Sequence, residues 1–139
     1  LDVLDARPLA KALCVRRNVL SQSAAQASIF YSDVAKNGKV YSLRDKDGFP
    51  APKGAGGRRS MPFWSTRSRV EKIIATIPAY SKFELVELDW QIFSENWLTG
   101  LDKDGLLIGI NWSGDKATGY DIPPLSVRDN VEHLISKNT

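Results

Sequence analysis

Nucleophilic catalysis of the serine or cysteine kind needs an imidazole beside the nucleophile, and the 139 residues supply one histidine, His133. It falls between Glu132 and Leu134 on an expected C-terminal helix, the place of a solvated side chain rather than a base. The one cysteine, Cys14, has no histidine near it in sequence and reads as an inert thiol. So small a His and Cys inventory leaves a metal only oxygen ligands. Two Asp-Lys-Asp-Gly runs, 45–48 and 102–105, open like calcium loops, yet their twelfth positions are Gly56 and Ser113, where such a loop needs a carboxylate. They read as polar turns. No catalytic residue, metal or cofactor follows from these patterns, and the balance leans away from an enzyme.

Anion binding has more to work with. Lys53 to Ser60 combines glycines with Arg58 and Arg59, the ingredients of a phosphate cradle, but Pro50 and Pro52 before it and Pro62 after it exclude the strand–loop–helix of a nucleotide loop. A looser contact would use Arg58, Arg59, Arg67 and Arg69, with Trp64 stacking a base. Glu71, Glu84 and Glu87 stand to pair with the same arginines, so nucleic acid is not the expected partner. Four tryptophans, Trp64, Trp90, Trp97 and Trp112, lie at expected element ends or on apolar helix faces. They are expected in the core, where each indole N–H needs an acceptor. If partly exposed instead, Trp64 and Trp112 would anchor a partner. Asn111-Trp112-Ser113 also matches a glycosylation acceptor, a coincidence without a secretory signal.

The elements that must position these residues follow from periodicity. Ser21 or Ser23 caps a helix with Ala24, Ala27, Tyr31 and Val34 on one face, ending at Asn37-Gly38. Lys39 to Arg44 alternates as a strand, with Tyr41 and Leu43 opposite Val40 and Ser42, and Met61 to Trp64 returns as a short one. Ser65 caps a helix through Ile77 whose apolar residues Val70, Ile73, Ile74 and Ile77 fit the helical template. Phe83 to Leu88 is a strand, and Asp89 caps a helix turning Ile92, Phe93 and Trp97 inward. Leu106 to Trp112 and Ala117 to Ile122 form a hairpin, and Pro124 opens a last helix bearing Val127, Val131, Leu134 and Ile135. This order implies an α+β fold, a mostly antiparallel sheet of about four or five strands with helices packed against it.

Hydrophobic residues at 42% and charged residues at 25% exclude a disordered or fibrous chain, and the length suits one domain. Apolar runs are far shorter than the ~20 residues of a membrane span, so no membrane role is expected. Residues 1–72 carry 14 basic and 6 acidic side chains, and residues 73–139 carry 5 and 10. This asymmetry would steer an anionic partner only if the fold keeps the halves apart. Residues 1–20 show no organised pattern and read as an extension preceding a single domain over 21–139.

Met61-Pro62-Phe63-Trp64-Ser65 with Arg69, Asn111-Trp112-Ser113-Gly114 and Thr118-Gly119-Tyr120-Asp121 together resemble a bacterial domain-of-unknown-function family, the one numbered 2750. The resemblance spans about residues 22 to 135. Small bacterial proteins with a similar motif before a helix stand beside toxins as immunity proteins, and by that analogy the first expectation is a cytoplasmic, non-enzymatic module binding a protein such as a toxin. The second is a domain that holds, or acts on, a small anionic molecule around Arg69 and Asn111. The candidate binding residues for either are Trp64, Ser65, Arg69, Asn111, Trp112, Ser113 and Tyr120. A ligand site should gather them in one concavity, whereas a protein-binding face should expose the tryptophans broadly. The Trp64-Ser65 and Asn111-Trp112-Ser113 segments are expected to meet in space.

Overall fold

The computed structural model describes residues 24–54, 56–114 and 118–137. The expected extension, Cys14 and the Ser21 or Ser23 cap lie outside them. Helix α1 covers residues 24–37 and buries Ala27, Phe30 and Val34, three positions on one face. Gly38, at φ 69°, closes it by donating its N–H to the Val34 carbonyl at 2.8 Å, the left-handed ending that glycine makes without a Cβ penalty.

Strand β1 (Lys39–Arg44) pairs antiparallel with β3 (Glu84–Asp89). Strand β2 (Ser60–Phe63) pairs with β4 (Leu107–Ser113), which pairs antiparallel with β5 (Thr118–Ile122). Tyr41 and Trp64 exchange backbone hydrogen bonds of 2.8 and 2.7 Å and join the two groups in the order β3-β1-β2-β4-β5. Their contact stays a single bridge for a covalent reason. Trp64 directs its N–H toward β1, so Pro62, two residues earlier, faces the same way and has no N–H to give. The Pro62 carbonyl is taken instead by the Ser42 hydroxyl at 2.8 Å. The sheet is mostly antiparallel, as expected, with one parallel pair, β2 with β4. Between these two strands the chain passes through a helix, β3 and a second helical run, a crossover that brings β4 back in the same direction.

Helix α2 (Arg67–Thr76) packs on the face carrying Leu43, Trp64 and Trp112, and buries Val70 and Ile73 with Ile77 just beyond its end. Ile74 is only half-buried, so the stripe centres on Ile73. The opposite face, with Val40, Phe63, Ile108, Ile110 and Ile122, is covered by α1, by α5 (Pro124–Lys137) and by the helical run after β3. That run comprises α3 (Trp90–Ile92), a π-helical stretch Phe93–Leu98 and α4 (Thr99–Lys103). The wider turn brings Phe93 and Leu98, five residues apart, both fully inside. Ile92, expected inward, is 48% exposed, because it precedes this stretch and stands about 200° around the helix from buried Trp90. The Arg128 guanidinium caps the Ser94 carbonyl within this stretch at 2.6 Å.

A candidate ligand-binding cleft

The carboxyl ends of the parallel pair β2 and β4 lie side by side, with α2 leaving directly from β2. Here the Trp64-Ser65 and Asn111-Trp112 segments do meet. Between Ile110 and Ser113, two residues of β4 oppose one of β5, and this bulge holds Asn111 at φ 47°. Asparagine is among the few side chains that tolerate this left-handed region, and here both the oxygen and the nitrogen of its amide are engaged. Asn111 Oδ1 accepts the Ser65 backbone N–H at 2.9 Å, and its Nδ2 donates to Ser65 Oγ at 3.2 Å. Ser65 Oγ in turn donates to Asp33 on α1 at 2.7 Å. Ser65 therefore does not cap α2. That role falls to Thr66, whose hydroxyl accepts the Arg69 N–H.

Two indoles are pinned in the same region. Trp64, fully buried, donates Nε1–H to the Trp112 carbonyl at 2.8 Å, and Trp112, 6% exposed, donates to Asp121 Oδ1 at 3.0 Å. The Trp112 ring lies flat over Gly109, where an added Cβ would meet Cε2 at 2.3 Å, and it also crowds Gly119. Only glycine at 109 admits the ring. The glycines and Asp121 that seat Trp112 were not among the candidate residues, although Gly119 and Asp121 stand in the motif that carries the family resemblance.

Between α2 and the end of β4 these walls enclose a cleft of about 320 Å³, lined by Arg69, Lys72, Ile73, Ile77, Trp112 and Ser113, among others. Of the seven candidate residues, Arg69, Trp112 and Ser113 line the cleft, while Trp64, Ser65 and Asn111 are buried beside it and join its walls. Tyr120 does not belong to it. It alternates with Gly119 and Asp121 along β5 and so faces the other side of the sheet, where with Tyr31, Asn130 and His133 it lines a separate hollow of about 400 Å³. Lys72 was missed by the sequence reading, though its spacing of three from Arg69 places both on one helix face.

Charge in the cleft is of one sign among the described residues. Arg69 and Lys72 make no ion pair there, while neighbouring Glu71 lies 3.9 Å from Arg67. The other expected phosphate contacts are spent elsewhere. Arg58 donates to the Gly105 carbonyl at 3.0 Å, and Arg59 to the Ala51 carbonyl at 2.8 Å. Glu87 and Asp89 approach Lys39 rather than an arginine, and the Asp89 hydrogen bond raises the Lys39 pKa above its ordinary value. Burial pushes the Tyr80 phenol up as well, beside the same apolar cluster as the cleft floor. His133 is exposed on α5. The described residues contain no group of three or more His, Cys, Asp or Glu placed to hold a metal ion, and no helix long and apolar enough to cross a membrane.

These features define an α+β fold whose mixed sheet carries helices on both faces and a cationic cleft at the carboxyl ends of its parallel strands. Residues 27–131 match the family described as Protein of unknown function (DUF2750), and the chain belongs to that family. No curated protein matches it.

Proposed function

We propose that this chain binds a small anionic molecule in the cleft between α2 and the end of β4. The observation that carries the reading is the pair Arg69 and Lys72, unpaired among the described residues, standing over a concavity whose indole wall is locked from behind by Gly109 and Asp121. A fixed wall and two cations three residues apart form a preorganised receptor, and Arg69 supplies the planar fork that suits a carboxylate or phosphate. The cleft's volume falls at the small end of the range for ligand pockets.

The other reading, a bacterial cytoplasmic module that binds a protein such as a toxin, rests on analogy with immunity proteins. The expected aromatic patch has little support, since Trp64, Trp90 and Trp112 are each less than a tenth exposed. The larger exposed apolar residues, Ile29, Ile92, Tyr120 and Leu125, are distributed over α1, the helical run after β3, β5 and α5.

The test is a titration with benzoate and, separately, inorganic phosphate at low ionic strength, followed by backbone amide resonances. Saturable shifts should concentrate on residues 69–77 and 112–114 and should weaken in Arg69→Gln. Absence of saturable shifts in these segments with both anions would refute the proposal.

A further inference from the structure

Among the described residues, most side-chain polar groups in and beside the cleft already have an internal partner. The Trp112 indole N–H is given to Asp121, and the Trp64 N–H to the Trp112 carbonyl. The Thr76 hydroxyl donates back to the Lys72 carbonyl at 2.7 Å. The Asn111 carboxamide is held by Ser65. Ile73 and Ile77, 4% and 7% exposed, supply only carbon. Among the described residues, the groups left to meet a ligand gather at the mouth: the two cations, Ser113 and Gly114 exposed at the end of β4, and the accepting side of the exposed Thr76 hydroxyl.

A ligand with polar groups on all sides, such as a sugar or a nucleoside, would lose its hydration against Ile73, Ile77 and the indole without recovering hydrogen bonds. A bare inorganic anion would use the cations and leave the apolar floor wet. From this distribution we infer that the cleft takes an amphiphilic anion, a small carboxylic acid with one carboxylate head and a hydrocarbon body. The head lies at Arg69 and Lys72, and the body lies against Trp112, Ile73 and Ile77. The available space equals that of about ten waters at ~30 Å³ each, so the body is of medium length rather than a long acyl chain. The inference rests on the anion reading above and names the class of anion.

The experiment is a calorimetric titration of the full chain with acetate, butanoate, hexanoate and octanoate, beside inorganic phosphate and 1-octanol. The same series is run on Arg69→Gln and Lys72→Gln, two surface substitutions whose folding is checked by circular dichroism. Affinity should climb with chain length, up to about fourfold per methylene, which is the ~0.8 kcal/mol of a buried CH₂ converted at ~1.4 kcal/mol per tenfold. Octanoate should bind at least about tenfold more weakly to Arg69→Gln, the scale of one charge-assisted pair. If acetate or phosphate binds as tightly as octanoate, the amphiphile is refuted while the anion reading stands. If octanol binds as tightly as octanoate, or both variants bind octanoate as wild type does, the cations play no part and both fall. If no probe binds, the anion reading itself is refuted.

Discussion

Gly109→Ala would put a methyl where the Trp112 ring now lies. The added carbon would stand 2.3 Å from Cε2 and 2.5 Å from Nε1. Ordinary carbon contacts are about 3.5 to 4.0 Å, so the ring must retreat by at least about 1 Å. The ring is tethered on its other side by the hydrogen bond to Asp121 at 3.0 Å, which such a shift would strain or break. Overpacking of this kind costs about 1–3 kcal/mol, and losing the hydrogen bond to a carboxylate adds about 1.5–3 kcal/mol, so the sum is about 2–5 kcal/mol. Trp112→Ala alone should cost about 3–5 kcal/mol through the cavity it leaves. In that background the methyl introduced by Gly109→Ala meets no indole, and this second substitution should cost less than about 0.5 kcal/mol, alanine being no worse than glycine in a strand. Urea unfolding of the four proteins closes a double-mutant cycle, with an expected coupling of about 2 kcal/mol or more. Additivity within about 0.5 kcal/mol would refute the seating of Trp112 on Gly109.

Asn111→Ala should destabilise by about 1–3 kcal/mol, because the buried Ser65 N–H loses its acceptor. Asn111→Gly loses the same bond but relaxes the positive φ, so its midpoint in urea should exceed that of Asn111→Ala. On α2, Ile73→Ala should cost about 2–5 kcal/mol and Lys72→Ala about 0.5 kcal/mol or less, and equal small losses in thermal melts would contradict the packing of that face. The Tyr80 phenol is raised by burial, so above about pH 10 the unfolded chain releases a proton that the folded chain keeps, and stability falls as pH rises through that window. Below about pH 10 the contribution is fully present. Tyr80→Phe should therefore show a shallower fall in melting temperature between about pH 9 and pH 11 than wild type.

Most elements were legible because their signals are local. The alternation of Lys39–Arg44, the Gly38 ending of α1 and the Val70, Ile73, Ile77 stripe each depend on residues within a turn or two of one another. The chemistry-bearing residues were legible in part for the same reason, since Arg69 and the Trp64 and Asn111 segments lie at element ends. Of the three residues expected inward after Asp89, Phe93 is buried and Trp97 packs against the core, whereas Ile92 is exposed because the local pattern does not say which of two adjacent apolar residues faces the sheet. Nor does any local signal in Phe93–Leu98 announce the i→i+5 bonding that also buries Leu98.

The tertiary structure alone decided which segments share a site. The joining of Ser65 to Asn111 and Asp33 spans 46 and 32 residues, and the seating of Trp112 depends on Gly119 and Asp121 across a bulge whose register the strand pattern does not encode. Tyr120 shows the consequence. In sequence it stands between Gly119 and Asp121, which both serve Trp112, yet the two-residue period of a strand sends it through to the opposite face. Composition and periodicity determine what each segment can form and which side it buries. Which buried sides meet, and which cations are left without a partner among the described residues, is settled by long-range packing, because each such contact is chosen against every other surface that the same segment could cover.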